Sequence, residues 1–218
     1  MKRILLVVFL SLGHLINAQV YTFKSQKNGK EITHRILMDA TYMVETQFVA
    51  SPPEFILTRG GFYTSQGETF TIELEFNSDH SKNPTTQFQL TQSMDWKKIS
   101  RDAIDLNGKW LMAGRVTDEG ERRRDTTRPR KTMKFLLDGF FQWIAFNTET
   151  MQFFGSGGGY YSAEEGIYTE HIEYFSRNNQ SVGRVLPFNY RLNGADWHHE
   201  GFSSKGDPMH EIWSFRKQ

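Results

Sequence analysis

The chain has no cysteine in its 218 residues. That absence excludes disulfides, thiolate metal sites and cysteine nucleophiles together. Proline is scarce at 6 residues, and two of them, Pro52 and Pro53, are adjacent, so strand-forming stretches are broken at few places. A surplus of charge of one sign is also lacking. The formal net charge is +1, whereas a general nucleic-acid binder needs a strongly basic domain. No nucleic-acid partner is expected. Beyond residue 18 there is no helical periodicity and no apolar run near the roughly 20 residues of a membrane span. There is no metal-ligand spacing, no Gly-Lys-Ser/Thr phosphate loop and no Gly-x-Ser-x-Gly. Neither a cofactor nor a metal is expected.

The longest apolar run lies at the N-terminus. Lys2 and Arg3 precede Ile4 to Leu12, and Ile16-Asn17-Ala18 offers a small-residue exit, which is the anatomy of a cleavable signal peptide over residues 1–18. The mature protein is then expected outside the cytoplasm, secreted or periplasmic, without a transmembrane segment. No cysteine follows that could carry a lipid anchor. Losing Lys2 and Arg3 takes the net charge from +1 to −1.

What the chain has in plenty is aromatic residues, at 14 % with 18 phenylalanines, and alternation. Residues 133–177 read as four consecutive strands. Asp138-Gly139 marks a hairpin, a glycine run spans residues 155–159, and residues 168–176 alternate cleanly. A weaker copy lies roughly a hundred residues earlier. There Asp39-Ala40 answers Asp138-Gly139, and Gly60-Gly61-Phe62-Tyr63 answers Gly158-Gly159-Tyr160-Tyr161. Phe70, Ile72, Leu74 and Phe76 answer Tyr168, Glu170, Ile172 and Tyr174. Turn signals at this spacing predict an all-β barrel or sandwich. The expected layout is a reduced repeat over 19–99, a linker over 100–106 and a complete repeat over 107–218.

Gly108-Lys109-Trp110 resembles the Gly-x-Trp that opens lipocalin-type barrels. Together with the glycine–tyrosine run at 157–161, the strand 168–174 and the terminal Glu211-Ile212-Trp213, it makes residues 107–218 similar to the lipocalin-like (calycin-type) domains of secreted bacterial proteins of unknown function. The resemblance implies an antiparallel barrel and carries no activity. The fold expected is therefore two tandem lipocalin-like β-barrel repeats, the first reduced. The alternative is one large barrel, each repeat supplying half.

Comparing the copies singles out Glu170, which stands where the first copy has Ile72. A carboxylate on an apolar face must be paired, hydrogen-bonded or protonated. It either fixes strand register against an interior partner or contacts a ligand. Glu211 shares a face with Trp213, and the expected pocket set is Glu170, Tyr168, Trp143, Tyr161, Glu211, Trp213, His199 and Arg115, with His198 as an alternative partner. His198 and His199 fall on opposite faces of a strand and cannot chelate one metal. Arg122, Arg123, Arg124, Arg128 and Arg130 form either an anion-attracting loop at the barrel mouth or a solvated loop neutralised by interleaved acids. The function expected is binding of a small hydrophobic or amphipathic ligand. An envelope module binding a protein or polysaccharide is the alternative, and a hydrolase using Glu170 and Glu211 the third reading.

Overall fold

The computed structural model describes residues 18–101, 106–203 and 206–217. The expected signal peptide up to residue 17 and most of the expected linker, 102–105, lie outside the described residues. Among the described residues no helix is long and apolar enough to cross a membrane.

The first repeat supplies β1 (Gln19–Lys27), β2 (Lys30–Met38), β3 (Tyr42–Val49), β4 (Glu54–Gln66), β5 (Thr69–Asn77), β6 (Gln87–Thr91) and β7 (Lys97–Ile99). They form one antiparallel sheet in the order β6-β5-β4-β3-β2-β1-β7. The second supplies β8 (Gly108–Thr117), β9 (Gly120–Arg123), β10 (Arg130–Leu137), β11 (Phe140–Asn147), β12 (Phe153–Glu164), β13 (Ile167–Phe175), β14 (Val185–Asn193), β15 (Asp196–Phe202) and β16 (Pro208–Phe215). Here β8 pairs with both β16 and β10, which closes an eight-stranded up-and-down barrel with β9 as an extra hairpin arm on β8. Asn28-Gly29 and Asp138-Gly139 each have φ > 0 at both residues, as a two-residue turn matching strand twist requires.

The repeats keep a constant offset of 98 positions across β2–β5 and β10–β13 (158 − 60, 170 − 72). Both carry a bulge in the same place, after Gly60 and after Gly158. The glycine that follows each bulge is required by close approach. A Cβ at Gly61 would lie 1.8 Å from the Glu73 carbonyl oxygen, and one at Gly159 would lie 1.9 Å from that of His171. No side chain fits there.

The repeats pack back to back. Leu37, Tyr42, Val44 and Phe76 of the first sheet and Met133, Phe135, Ile144 and Phe146 on the outer face of the barrel share one core. Contacts across it come in matched pairs. Phe76 meets Phe146 and Phe48 meets Tyr174, both at 5.0 Å between ring centres, and Phe55 stacks on its own equivalent Phe153. Glu75 takes Arg216 from the barrel at 2.7 Å, and the equivalent Glu173 takes Arg35 from the first sheet at 3.0 Å. Buried Gln142 accepts from Thr46 and donates to Thr58 and Ser156, which satisfies its amide in the joint core.

Two expectations are corrected. The first repeat is not a second barrel: it has no counterpart of β15, and β6 and β7 do not pair, so its sheet stays open. It curls over a concave apolar face of Ile36, Met43, Phe70 and Ile72, with Trp96 laid against it. Nor do the repeats form one large barrel, because among the described residues no strand of one sheet pairs with a strand of the other.

Candidate functional site

The barrel interior is divided. Its lower half is packed solid by Trp110, Leu136, Phe141, Tyr161, Tyr168 and Trp197. The upper half, toward the β8–β9 and β10 ends, holds a cavity of about 310 Å³, at the small end of ligand pockets. Its floor is a buried ion pair. Lys134 from β10 reaches Glu170 on β13, Nζ to Oε1 2.7 Å, and each residue is 4 % exposed. Four aromatic rings, those of Tyr168, Phe188, Trp197 and Trp213, surround the ammonium at 5.1–5.7 Å from their centres, where their faces attract a cation.

His199 on β15 completes the floor. Its Nε2 lies 3.3 Å from Lys134 Nζ. An ammonium only donates, so Nε2 accepts and the imidazole proton sits on Nδ1. Burial, then the Lys134 charge, then His210 hold His199 well below its ordinary value, in the neutral form. Its buried Nδ1–H has no hydrogen-bond partner, and the nearest carboxylate oxygen, Glu211 Oε2, is 3.9 Å away. Burial pushes the Glu211 carboxyl up, partly offset by Lys134 and Arg115. Arg115 stands 3.5 Å from its other oxygen. Trp213 Nε1–H is turned toward Glu211 without completing a hydrogen bond of ordinary geometry.

Of the residues expected at the pocket, Glu170, Trp143, Glu211, Trp213, His199 and Arg115 line the cavity. Tyr168 and Tyr161 lie in the packed half below it, and the Tyr161 hydroxyl donates to Asn107 at 3.3 Å. His198 faces the other way and meets His210, ring nitrogens 3.0 Å apart. In the arginine loop, Arg122 pairs with Glu119, Arg123 with Glu121 and Asp196, and Arg128 with Asp125. These three are spent on local acids. Arg124 turns inward to the Arg130 carbonyl at 3.0 Å, and Arg130 reaches the cavity wall. Among the described residues no group of three or more acidic or histidine side chains could hold a metal ion.

The residue-by-residue reading missed Lys134 and Arg177. Lys134 could have been found by the comparison that found Glu170, since it stands 98 positions after Ile36. Arg177 stands 98 positions after Asp79, past the end of the alternating strand. A polar cluster on the concave face of the first repeat was missed as well. His34 Nδ1 donates to Glu45 at 2.9 Å, Ser25 Oγ lies 2.8 Å from His34 Nε2, and Arg59 holds the second Glu45 oxygen at 2.8 Å. The order is that of a serine–histidine–acid relay. Arg59, however, neutralises the carboxylate that would have to stabilise an imidazolium. The cluster cross-links β1 to β4.

A family model described as a domain of unknown function, DUF4488, matches residues 105–216, just over half of the chain. The chain belongs to the DUF4488 family. The match spans the closed barrel and the whole cavity, and the DUF4488 domain thus holds every residue of the candidate site. Comparison with curated proteins finds no match.

Proposed function

We propose that this DUF4488 protein is an exported, lipocalin-like binding protein that holds a small hydrophobic or amphipathic ligand in the upper half of its barrel. The observation that carries the reading is a cavity with apolar walls over a polar floor. Met112, Ile172, Leu186, Phe188 and Met209 supply the walls, and Lys134, Glu170 and His199 the floor. Pockets of that composition bind by burying apolar surface and orient the ligand through a few polar groups. The unpartnered Nδ1–H of His199 supports it, because a buried donor left unmade costs about 1–3 kcal/mol. A ligand oxygen would satisfy it. The eight-stranded up-and-down closure supports the lipocalin-like assignment, since barrels of that size have room for one small ligand.

The test is fluorescence of the neutral dye N-phenyl-1-naphthylamine on titration with the protein. A saturable rise is expected that Ala145→Phe and Leu186→Trp, each filling the cavity from a different wall, abolish while the β-sheet circular dichroism persists. A rise indifferent to both variants, together with a ligand-free native mass spectrum of protein taken from its own host, would overturn the reading. A filled barrel with a large apolar surface patch would favour the interaction-module reading, and the cavity speaks against it. The hydrolase reading predicts that Glu170→Gln abolishes turnover of a substrate the folded variant still binds.

A further inference from the structure

The charges around the cavity do not cancel. Among the described residues four cations line it, Lys134, Arg115, Arg130 and Arg177, against two carboxylates, Glu170 and Glu211. Lys134 answers Glu170 and Arg115 answers Glu211. The surplus is therefore localised on Arg130 and Arg177, at the mouth.

These two guanidiniums are built into place. Both are braced on Phe154. The Arg130 guanidinium lies 3.4 Å above the Phe154 ring centre, and Arg177 Nε donates to the Phe154 carbonyl oxygen at 3.0 Å. The next residue, Gly155, leaves room for that guanidinium: a Cβ there would sit 2.5 Å from Arg177 Nε and push the side chain aside. Arg130 spends Nη1 on the Lys131 carbonyl at 3.3 Å, and the neighbouring Arg124 holds the Arg130 carbonyl. Burial, then the neighbouring cations Arg124 and Arg177, pull Arg130 below its ordinary value. Three like charges gathered at one rim, with their backbone-facing nitrogens occupied, are costly until an anion arrives.

Nothing in the four-strand meander that the two repeats share calls for this arrangement. At the equivalent positions the first repeat has Ile32 for Arg130, Ile56 for Phe154, Leu57 for Gly155 and Asp79 for Arg177. The same scaffold forms without the arginines, the ring or the glycine. A feature restricted to the repeat that has the cavity, and placed at the mouth of that cavity, belongs to what enters it.

We propose that Arg130 and Arg177 clamp the oxyanion head, a carboxylate or a phosphate, of an amphipathic ligand whose apolar part occupies the cavity. This deepens the binding function above and rests on it. A planar guanidinium presents paired N–H donors that match either oxyanion. The head stays at the mouth, where water reaches it, and the chain runs down toward Lys134 and His199.

The experiment is isothermal titration of the full mature chain with four ligands sharing one eight-carbon chain: octanoate, octyl phosphate, octanol and octylammonium. The cavity size sets the short chain. Octanoate or octyl phosphate should bind at least tenfold more tightly than octanol, and octylammonium most weakly. Arg130→Gln and Arg177→Gln should each remove most of that tenfold advantage, lowering anion affinity far more than octanol affinity. Added salt should weaken the anions alone. Whichever anion binds more tightly identifies the head as carboxylate or phosphate. Equal binding of octanol and the anions overturns the clamp and leaves the binding function standing, as does an anion preference that survives both substitutions. Failure of all four ligands to bind overturns both.

Discussion

Ile36 and Ile72 face each other across the concave side of the first repeat, and Lys134 and Glu170 occupy the same two places in the second. Around the isoleucines the sheet stays open and Trp96 is laid over the apolar face. Around the ion pair the sheet closes, yet a cavity remains above it. The meander and its bulges are common to both, so neither depends on what fills the interior. The ion pair is not needed to fold this scaffold, and a buried pair adds little stability over apolar residues of similar size. Its consequence is a polar floor beneath the cavity.

The comparison breaks most completely if the repeats are parted. Phe135, Leu137, Phe140, Ile144 and Phe146 lie on the outside of the barrel and are buried only against the first sheet. Residues 106–218 expressed alone should be insoluble or bind 1-anilinonaphthalene-8-sulfonate strongly, as large exposed apolar patches do. A soluble, cooperatively unfolding barrel would show that the first repeat is dispensable to it.

Next in size is conversion of one interior into the other. Lys134→Met or Glu170→Gln alone leaves one partner of a buried pair uncompensated and should cost about 3–5 kcal/mol in urea unfolding. The double change Lys134→Ile with Glu170→Ile copies the first repeat and should recover most of that loss or exceed it. It should also remove orientation by the floor, so octanol would bind as well as before or better. If the double variant is as unstable as the singles, the equivalence of the two interiors is wrong.

A subtler comparison uses the matched acids at the joint. Glu75 accepts two nitrogens of Arg216 and the Tyr42 hydroxyl in a nearly closed setting. Glu173 accepts one nitrogen of Arg35, and its side chain is 32 % exposed. Glu75→Gln should therefore cost roughly 2–3 kcal/mol and Glu173→Gln below about 1 kcal/mol. Equal losses in thermal or urea unfolding would mean that burial does not set their difference.

Much of this was legible in the chain. Alternation and turn residues marked the strands, and the Asp138-Gly139 hairpin lies where its dipeptide placed it. Glu170 could be picked out because its equivalent, Ile72, made it anomalous. Closure was not legible for the first repeat. Whether a meander closes depends on pairing between its terminal strands, and residues 92–96 give no sign that a strand equivalent to β15 has been omitted. The division of the barrel into packed and hollow halves also escaped the pattern, since Tyr168 and Glu170 share a face and differ only in depth. Arg177 escaped because it lies past the end of β13, beyond any alternation, and its position is set by Phe154 and Gly155 on the neighbouring strand β12.

The last effect expected is on the pH dependence of stability, and it separates the floor from the rest of the molecule. His199 is held neutral in the folded protein by burial, Lys134 and His210. In the unfolded chain it protonates near its ordinary value of about 6.5. Below that pH the unfolded state binds a proton that the folded state refuses, so stability falls by up to about 1.4 kcal/mol per pH unit. Glu211 acts in the opposite sense. Its raised folded value means that acidification just above the ordinary glutamate range returns stability. Glu45 lies outside the window: burial raises it, but His34, Arg59 and Gln47 outweigh burial and hold it low, so its contribution is lost only in stronger acid. His199→Gln should therefore flatten the decline in urea midpoint between about pH 6.5 and 5, leaving the residual slope of His198, which burial and Arg191 also lower. The isoleucine pair of the first repeat carries no titrating group. Parallel wild-type and variant profiles across that window would mean that His199 takes up its proton in the folded barrel, and that Lys134 does not hold its imidazole neutral.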